Sequence, residues 1–215
     1  GIQALVVLGT TGEPPTMTPQ EKKAAIQCCV STAAGRVPII AGAGSNNTAA
    51  AVEAAELARS LKADAVLSVT PYYNKCTPKG LHEHYQAIAS VGLPVIIYNV
   101  PGRTGLNITP PVLESLADIS GLVAVKEASG NIDQLTDMIS RCGERYTFYS
   151  GEDGLVLPML ALGAQGVISV LSNILPADMQ KLCELFFGKE IQQAADLQIK
   201  LYPLIKALFC EVNPI

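Results

Sequence analysis

Gly121-Leu122-Val123-Ala124-Val125-Lys126-Glu127 is the stretch that decides how this chain folds. Its apolar residues follow one another without alternation, which marks a strand buried on both faces, as in a parallel sheet covered by helices. Similar runs lie on either side: Ala4–Leu8, Val37–Ala41, Ala65–Val69 and Pro94–Tyr98 before it, Tyr146–Ser150 and Gly166–Val170 after it. Together they make seven predicted strands whose centres stand 20 to 34 residues apart. Helix signals fill the gaps. Thr18-Pro19-Gln20-Glu21 is a capping box with proline at the first helical position, and Thr77-Pro78 and Thr109-Pro110 repeat the cap-plus-proline start. The Ala-rich segment around Glu53–Leu57 reads as a surface helix lying on a sheet, and Ala177–Phe187 and Lys189–Phe209 read as two more helices.

Strand and helix alternating at this spacing imply an α/β fold, either a doubly wound sheet or a (β/α)8 barrel. A barrel closes with eight strands, typically in about 250 residues. Seven strands alone would leave apolar parallel edges open to water. The pattern therefore predicts a TIM barrel lacking its first strand and helix. Residues 1–175 would carry strands two to eight. Residues 176–215 would carry the last barrel helix and the start of a C-terminal helical region that continues past Asn213-Pro214-Ile215.

Composition narrows the function classes. The 215 residues are 49% apolar and 16% charged, too apolar for a disordered chain. Mean hydropathy is +0.31, yet no apolar stretch approaches the roughly 20 residues of a membrane-spanning helix. A net charge of −4 without a Lys/Arg stripe speaks against nucleic acid as a partner. The N-terminal residues carry no signal-peptide pattern. Cysteines at 28, 29, 76, 142, 183 and 210 form no CxxC pair, and read as reduced, buried small hydrophobes of a cytoplasmic protein.

In a barrel, chemistry sits on the loops after the strands. Gly9-Thr10-Thr11-Gly12-Glu13 offers backbone N–H groups and hydroxyls to a carboxylate or phosphate, or is a plain turn. Gly42-Ala43-Gly44 lacks the third glycine and the acidic residue of a dinucleotide fingerprint. Thr70-Pro71-Tyr72-Tyr73-Asn74 and Tyr98-Asn99-Val100-Pro101-Gly102-Arg103-Thr104-Gly105 would bring phenol, hydroxyl and guanidinium groups to one barrel mouth. Of ten lysines, Lys126 alone ends a continuous strand run. Pointed into the mouth and partly desolvated, it has its neutral amine favoured, as a Schiff-base lysine requires. The competing reading pairs it with the adjacent Glu127. His82 and His84, two apart on a helix, face different ways and cannot share a metal, so no metal is expected.

GTTGE at 9–13, VTPYYNK at 69–75, YNVPGRTG at 98–105, VKEASGN at 125–131 and SGED at 150–153 together resemble the dihydrodipicolinate synthase family of pyruvate-dependent class I aldolases. The resemblance runs the length of the chain. It implies condensation of pyruvate with aspartate 4-semialdehyde in lysine and diaminopimelate synthesis, without a cofactor. Lys126 matches the imine-forming lysine, and Tyr98, Thr10 and Tyr73 the proton-relay hydroxyls. Thr11 resembles the residue that binds the pyruvate carboxylate, and Arg103 the one that clamps the aldehyde's carboxylate. Gly151 and Ile168 match pocket-lining positions, and Tyr72 a tyrosine that reaches into a neighbouring subunit of a tight dimer, usually paired into a tetramer. Arg103 and Thr10-Thr11 favour this chemistry over the N-acetylneuraminate or sugar-acid lyases of the superfamily, which stay as alternatives beside a non-catalytic barrel fragment. Lysine-inhibited relatives use a histidine and an acidic residue at the dimer interface. Here Asn46 and Tyr72 remain, but Ala50 holds the acidic position and Pro14–Pro19 contains no histidine, so lysine feedback is expected to be weak or absent.

Overall fold

The computed structural model describes residues 1–211, so the Asn213-Pro214-Ile215 segment lies outside the described residues. Its elements run β1 (Leu5–Val7), α1 (Pro19–Ala33), β2 (Ile39–Gly42), α2 (Thr48–Ser60), β3 (Ala65–Val69), α3 (Pro78–Ala89), β4 (Val95–Asn99), α4 (Pro101–Thr104) and α5 (Pro110–Glu114). They continue with β5 (Leu122–Glu127), α6 (Ile132–Cys142), β6 (Thr147–Ser150), α7 (Val156–Ala161), α8 (Pro176–Phe187) and α9 (Ile191–Ala207). The strands form one parallel sheet in the order β1-β2-β3-β4-β5-β6, each paired with its neighbour in sequence.

The seventh expected strand is reduced to a single bridge, Ser150 to Val167. Gly166 O and Ile168 N still bond Ser150 at 2.9 and 2.8 Å, but Val170 already has helical dihedrals and leads into a short turn at Leu171–Asn173. The run is apolar enough for a strand, but it bends away before the ladder can lengthen. A second departure lies in β5. The pairing steps from Val95–Leu122 to Ile96–Ala124, skipping Val123, which is left 42% exposed in an otherwise buried strand.

The helices begin where the caps place them. Thr18 N donates to Glu21 Oε2 at 2.7 Å and Glu21 N to Thr18 Oγ1 at 3.3 Å, which completes the capping box of α1. Thr77 Oγ1 accepts from Gly80 N at 3.2 Å and caps α3. Thr109 makes no side-chain cap, so α5 starts on its proline alone. Helix α2 lays Ala51, Ala55 and Ala58 on the sheet, as the Ala-rich pattern requires. The cysteines are unpaired, but Cys28 and Cys210 are exposed and only Cys142 is fully buried, against the expectation of six core thiols. No described helix is long and apolar enough to cross a membrane.

The two faces of the sheet are packed differently. The outer face joins Val66, Val95, Ile97, Leu122, Val125 and Phe148 to helix residues such as Ile26, Leu81, Tyr85 and Leu135 in one large cluster. The inner face holds a smaller cluster of Leu67, Ile96, Tyr98, Val100, Ala124 and Ala128. A third cluster packs α7, α8 and α9 together through Val156, Leu182, Leu201 and their neighbours. The glycines that mimic a dinucleotide motif are explained by close packing. A Cβ on Gly42 would strike the Leu8 carbonyl oxygen, and one on Gly44 would sit 2.5 Å from Val69.

Candidate active site

A cavity of about 410 Å³ opens at the C-terminal ends of the strands. Leu8–Gly12 after β1, Tyr98 and Arg103 at β4, Lys126 on β5 and Gly151 after β6 all line it. These strands include both edges of the sheet, so the sheet must curl for its ends to face one space.

Lys126 stands one residue before the end of β5 and is only 9% exposed. Tyr98 of β4 is its partner in register, so both side chains leave the same face, and the Lys126 Nζ lies 4.2 Å from the centre of the Tyr98 ring. None of the ion pairs among the described residues includes Lys126. Burial lowers its pKa to about 8, with Arg103 acting the same way and Asp153 and Glu152 opposing. At pH 7.5 about a quarter of such amines are neutral, against roughly one in a thousand for an unperturbed lysine. Burial also raises the Tyr98 phenol, which therefore keeps its proton at neutral pH, while Arg103 and the Thr10 hydroxyl pull it down.

Thr10 and Thr11 sit in a one-turn helix closed by Gly12 N donating to Gly9 O at 2.8 Å and followed by Glu13 in a left-handed conformation. Thr11 is exposed at the rim and Thr10 is half-buried. Arg103 lies on α4, whose buried Thr104 ties the loop down by donating to Val100 O at 3.2 Å and Leu106 O at 2.9 Å. Gly151 makes room for the lysine, since a Cβ there would stand 2.6 Å from Ala128 Cβ and 3.1 Å from Lys126 Cε. Ile168 completes the inner wall.

Two tyrosines do not join this group. Tyr72 and Tyr73 are 38% and 86% exposed and line no part of the cavity of their own chain. The backbone turns left-handed at Tyr73, at a φ of 77°, and its N–H donates to Thr104 O at 3.1 Å. That turn sends the ring to the surface, so the expected convergence of three tyrosines on one mouth is corrected, within a single chain, to Tyr98.

Glu127 is not the ion partner of Lys126. Strand alternation sends the two side chains to opposite faces, and both carboxylate oxygens of Glu127 are taken by Asn99 and Ser129 N at 2.9 and 2.7 Å. The acids that do act on Lys126 are Glu152, in the cavity wall, and the buried Asp153, whose Oδ2 accepts from Val170 N and Leu171 N at 3.0 and 2.8 Å. Their signal in the sequence is the acidic pair Glu152-Asp153, one residue past the end of β6.

The profile of the Dihydrodipicolinate synthetase family matches residues 1–215, the whole chain. The chain belongs to the dihydrodipicolinate synthetase family. The 4-hydroxy-tetrahydrodipicolinate synthase of Acetivibrio thermocellus is 50% identical over 216 residues, covering 100% of this chain and 73% of that protein. Among solved structures, the dihydrodipicolinate synthase of Thermotoga maritima superposes with a TM-score of 0.97 at 40% identity, over 100% of this chain and 75% of that one. The chloride-inhibited Acinetobacter baumannii enzyme, solved with pyruvate, gives 0.96 at 42% identity, over 100% and 74%.

Proposed function

We propose that this chain is a 4-hydroxy-tetrahydrodipicolinate synthase, a lyase that condenses pyruvate with aspartate 4-semialdehyde in lysine and diaminopimelate biosynthesis. The observation that carries the reading is Lys126, a buried amine in no ion pair among the described residues, beside Tyr98 and with its pKa lowered to about 8. The neutral amine attacks the keto carbon of pyruvate, and water leaves to give an imine. The imine draws electrons from the pyruvate methyl, which loses a proton and becomes an enamine. The enamine carbon attacks the aldehyde carbon and forms the C–C bond. The amino group of the second substrate then attacks the imine carbon, closes the ring and releases Lys126. Net, one water is lost.

Tyr98 and Thr10 pass protons in this scheme, because the phenol remains protonated and a hydroxyl stands beside it. Thr11 and the loop N–H groups take the pyruvate carboxylate, and Arg103 the carboxylate of the aldehyde, by bidentate hydrogen bonding. Gly151 and Ile168 shape the wall. Tyr73 belongs to the relay as a group supplied to a second copy's pocket, with Tyr72 in the same contact, since both rings stand out from their own chain. A tight dimer, paired into a tetramer, and a cytoplasmic setting belong to the same reading. So do strands two to eight of a (β/α)8 barrel in residues 1–175, and the last barrel helix and the start of a C-terminal helical region in residues 176–215. The curling that brings β1 and β6 to one cavity supports the barrel.

The test is intact-mass spectrometry after incubation with pyruvate and borohydride. A single pyruvyl adduct on the peptide containing Lys126 supports the reading, and an unmodified folded chain overturns it. Product formation with aspartate 4-semialdehyde, compared with sugar-acid aldehydes, identifies the second substrate.

A further inference from the structure

Behind the Tyr98–Lys126 pair, on the opposite face of the sheet, the next residues of the same two strands are also paired. Asn99 and Glu127 are partners in register, both buried, and joined by Asn99 Nδ2 donating to Glu127 Oε2 at 2.9 Å. Every other group of the pair is occupied too. Asn99 Oδ1 accepts from Ile108 N at 2.9 Å, which fixes the return of the loop that carries Arg103. Asn99 Nδ2 also donates to Asn107 Oδ1 at 3.0 Å, and Asn107 exchanges two hydrogen bonds with Gln134 of α6, at 2.7 and 3.1 Å. Glu127 Oε1 accepts from Ser129 N at 2.7 Å, holding the turn after β5. A buried carboxylate is costly unless its oxygens are satisfied, and a surface or apolar residue would stabilise the fold at lower cost. The mechanism proposed above gives Glu127 no chemical step.

We infer that Asn99 and Glu127 are positioning residues that hold Lys126, Tyr98 and the Arg103 loop in one geometry from behind the sheet. The inference rests on the aldolase reading of Lys126. Because the two rungs share two strand ends, any shift of one strand against the other moves the Lys126 amine relative to the Tyr98 ring. A shift at Asn99 also frees Ile108 N, and with it the loop that presents Arg103.

The pattern of donors supplies the test. In E127Q one of the two accepting oxygens becomes an NH2, which meets either the Asn99 NH2 or Ser129 N donor against donor, and turning Asn99 over sets its NH2 against Ile108 N instead. In N99D two carboxylates meet without a proton between them. The swap N99D/E127Q restores the set once the Asn107 and Gln134 amides turn over together, so that Asn107 Nδ2 donates to the introduced aspartate and the Asn107–Gln134 pair is kept. The introduced glutamine donates its amide N–H to the introduced aspartate, and its carbonyl oxygen accepts from Ser129 N. The other oxygen of the aspartate accepts from Ile108 N. Pyruvate trapping by borohydride is measured in single turnover at a temperature where thermal melts show each variant folded, together with KM for the aldehyde. E127Q is expected to trap roughly 10- to 100-fold more slowly, with a raised aldehyde KM, and the swap to return to within about threefold of the parent. A purely structural role would lower the melting temperature without slowing trapping by the folded protein. Should E127Q not fold, the swap alone decides, and trapping within about threefold of the parent supports the assignment. Parent-like trapping in E127Q overturns it, as does a swap that fails to fold or traps no faster than the singles. Absence of any adduct in the parent chain rejects the aldolase reading itself and is distinct from both.

Discussion

The outer and inner faces of the sheet are built from the same six strands to opposite ends. The outer face buries one large apolar cluster against the helices, and β4 contributes Val95 and Ile97 to it at zero exposure. The inner face has a small cluster and gives its C-terminal end to an amine, a phenol and a cavity. Adjacent residues of one strand thus serve different purposes: Val125 packs outward, Lys126 faces the cavity, and Glu127 points back into a hydrogen-bond network. The outer face makes the fold stable. The inner face spends part of that stability on holding an amine away from water.

The sharpest way to break this comparison is K126M. On the inner face it should abolish pyruvate trapping and lower turnover by more than about a thousandfold. It should also stabilise the protein. Because the folded-state pKa is depressed to about 8, the unfolded chain binds more protons between that pH and about 10.5, so the parent gains stability as pH rises through this window. Below pH 8 the buried amine costs up to about 3 kcal/mol, which K126M removes; denaturant melts at pH 7 and pH 10 check both signs. On the outer face the expectation reverses. L135A should cost about 2–5 kcal/mol, while the fraction still folded traps pyruvate at the parent rate.

Two smaller effects sharpen the division within the cavity. R103K, losing the bidentate fork, should raise the aldehyde KM about 10- to 100-fold while leaving the pyruvate adduct intact. E152Q removes a charge that holds the Lys126 pKa up, so the pH profile of trapping should shift downward, by less than about one unit. Lysine added at physiological levels should leave activity nearly unchanged, and half-inhibition in a steady-state assay would reject that expectation.

The strands were legible because runs such as Val95–Tyr98 are buried on both faces and need no knowledge of their partners. Lys126 was legible for the same reason, as a charge ending an apolar run. Gly166–Val170 misled because apolarity does not say where a chain bends, and the bend is set by Asp153 reaching across to Val170 N and Leu171 N. The outward direction of the Tyr73 ring was not legible, because it depends on a left-handed turn that a tyrosine rarely adopts. The separation of Glu127 from Lys126 was there to be found, since a period of two places neighbours in a strand on opposite faces. Its hydrogen bonds to Asn99 and Ser129 depend on register and were not.

The sequential order of the strands has a kinetic consequence. Each pairing joins neighbours in the chain, so the ladder can grow strand by strand at modest entropic cost. Thr10 and Gly151, which line one cavity from the loops after the first and last strands, meet only when the whole sheet has curled. The pocket that would capture pyruvate is therefore a property of the completed sheet, which no smaller part of the ladder possesses.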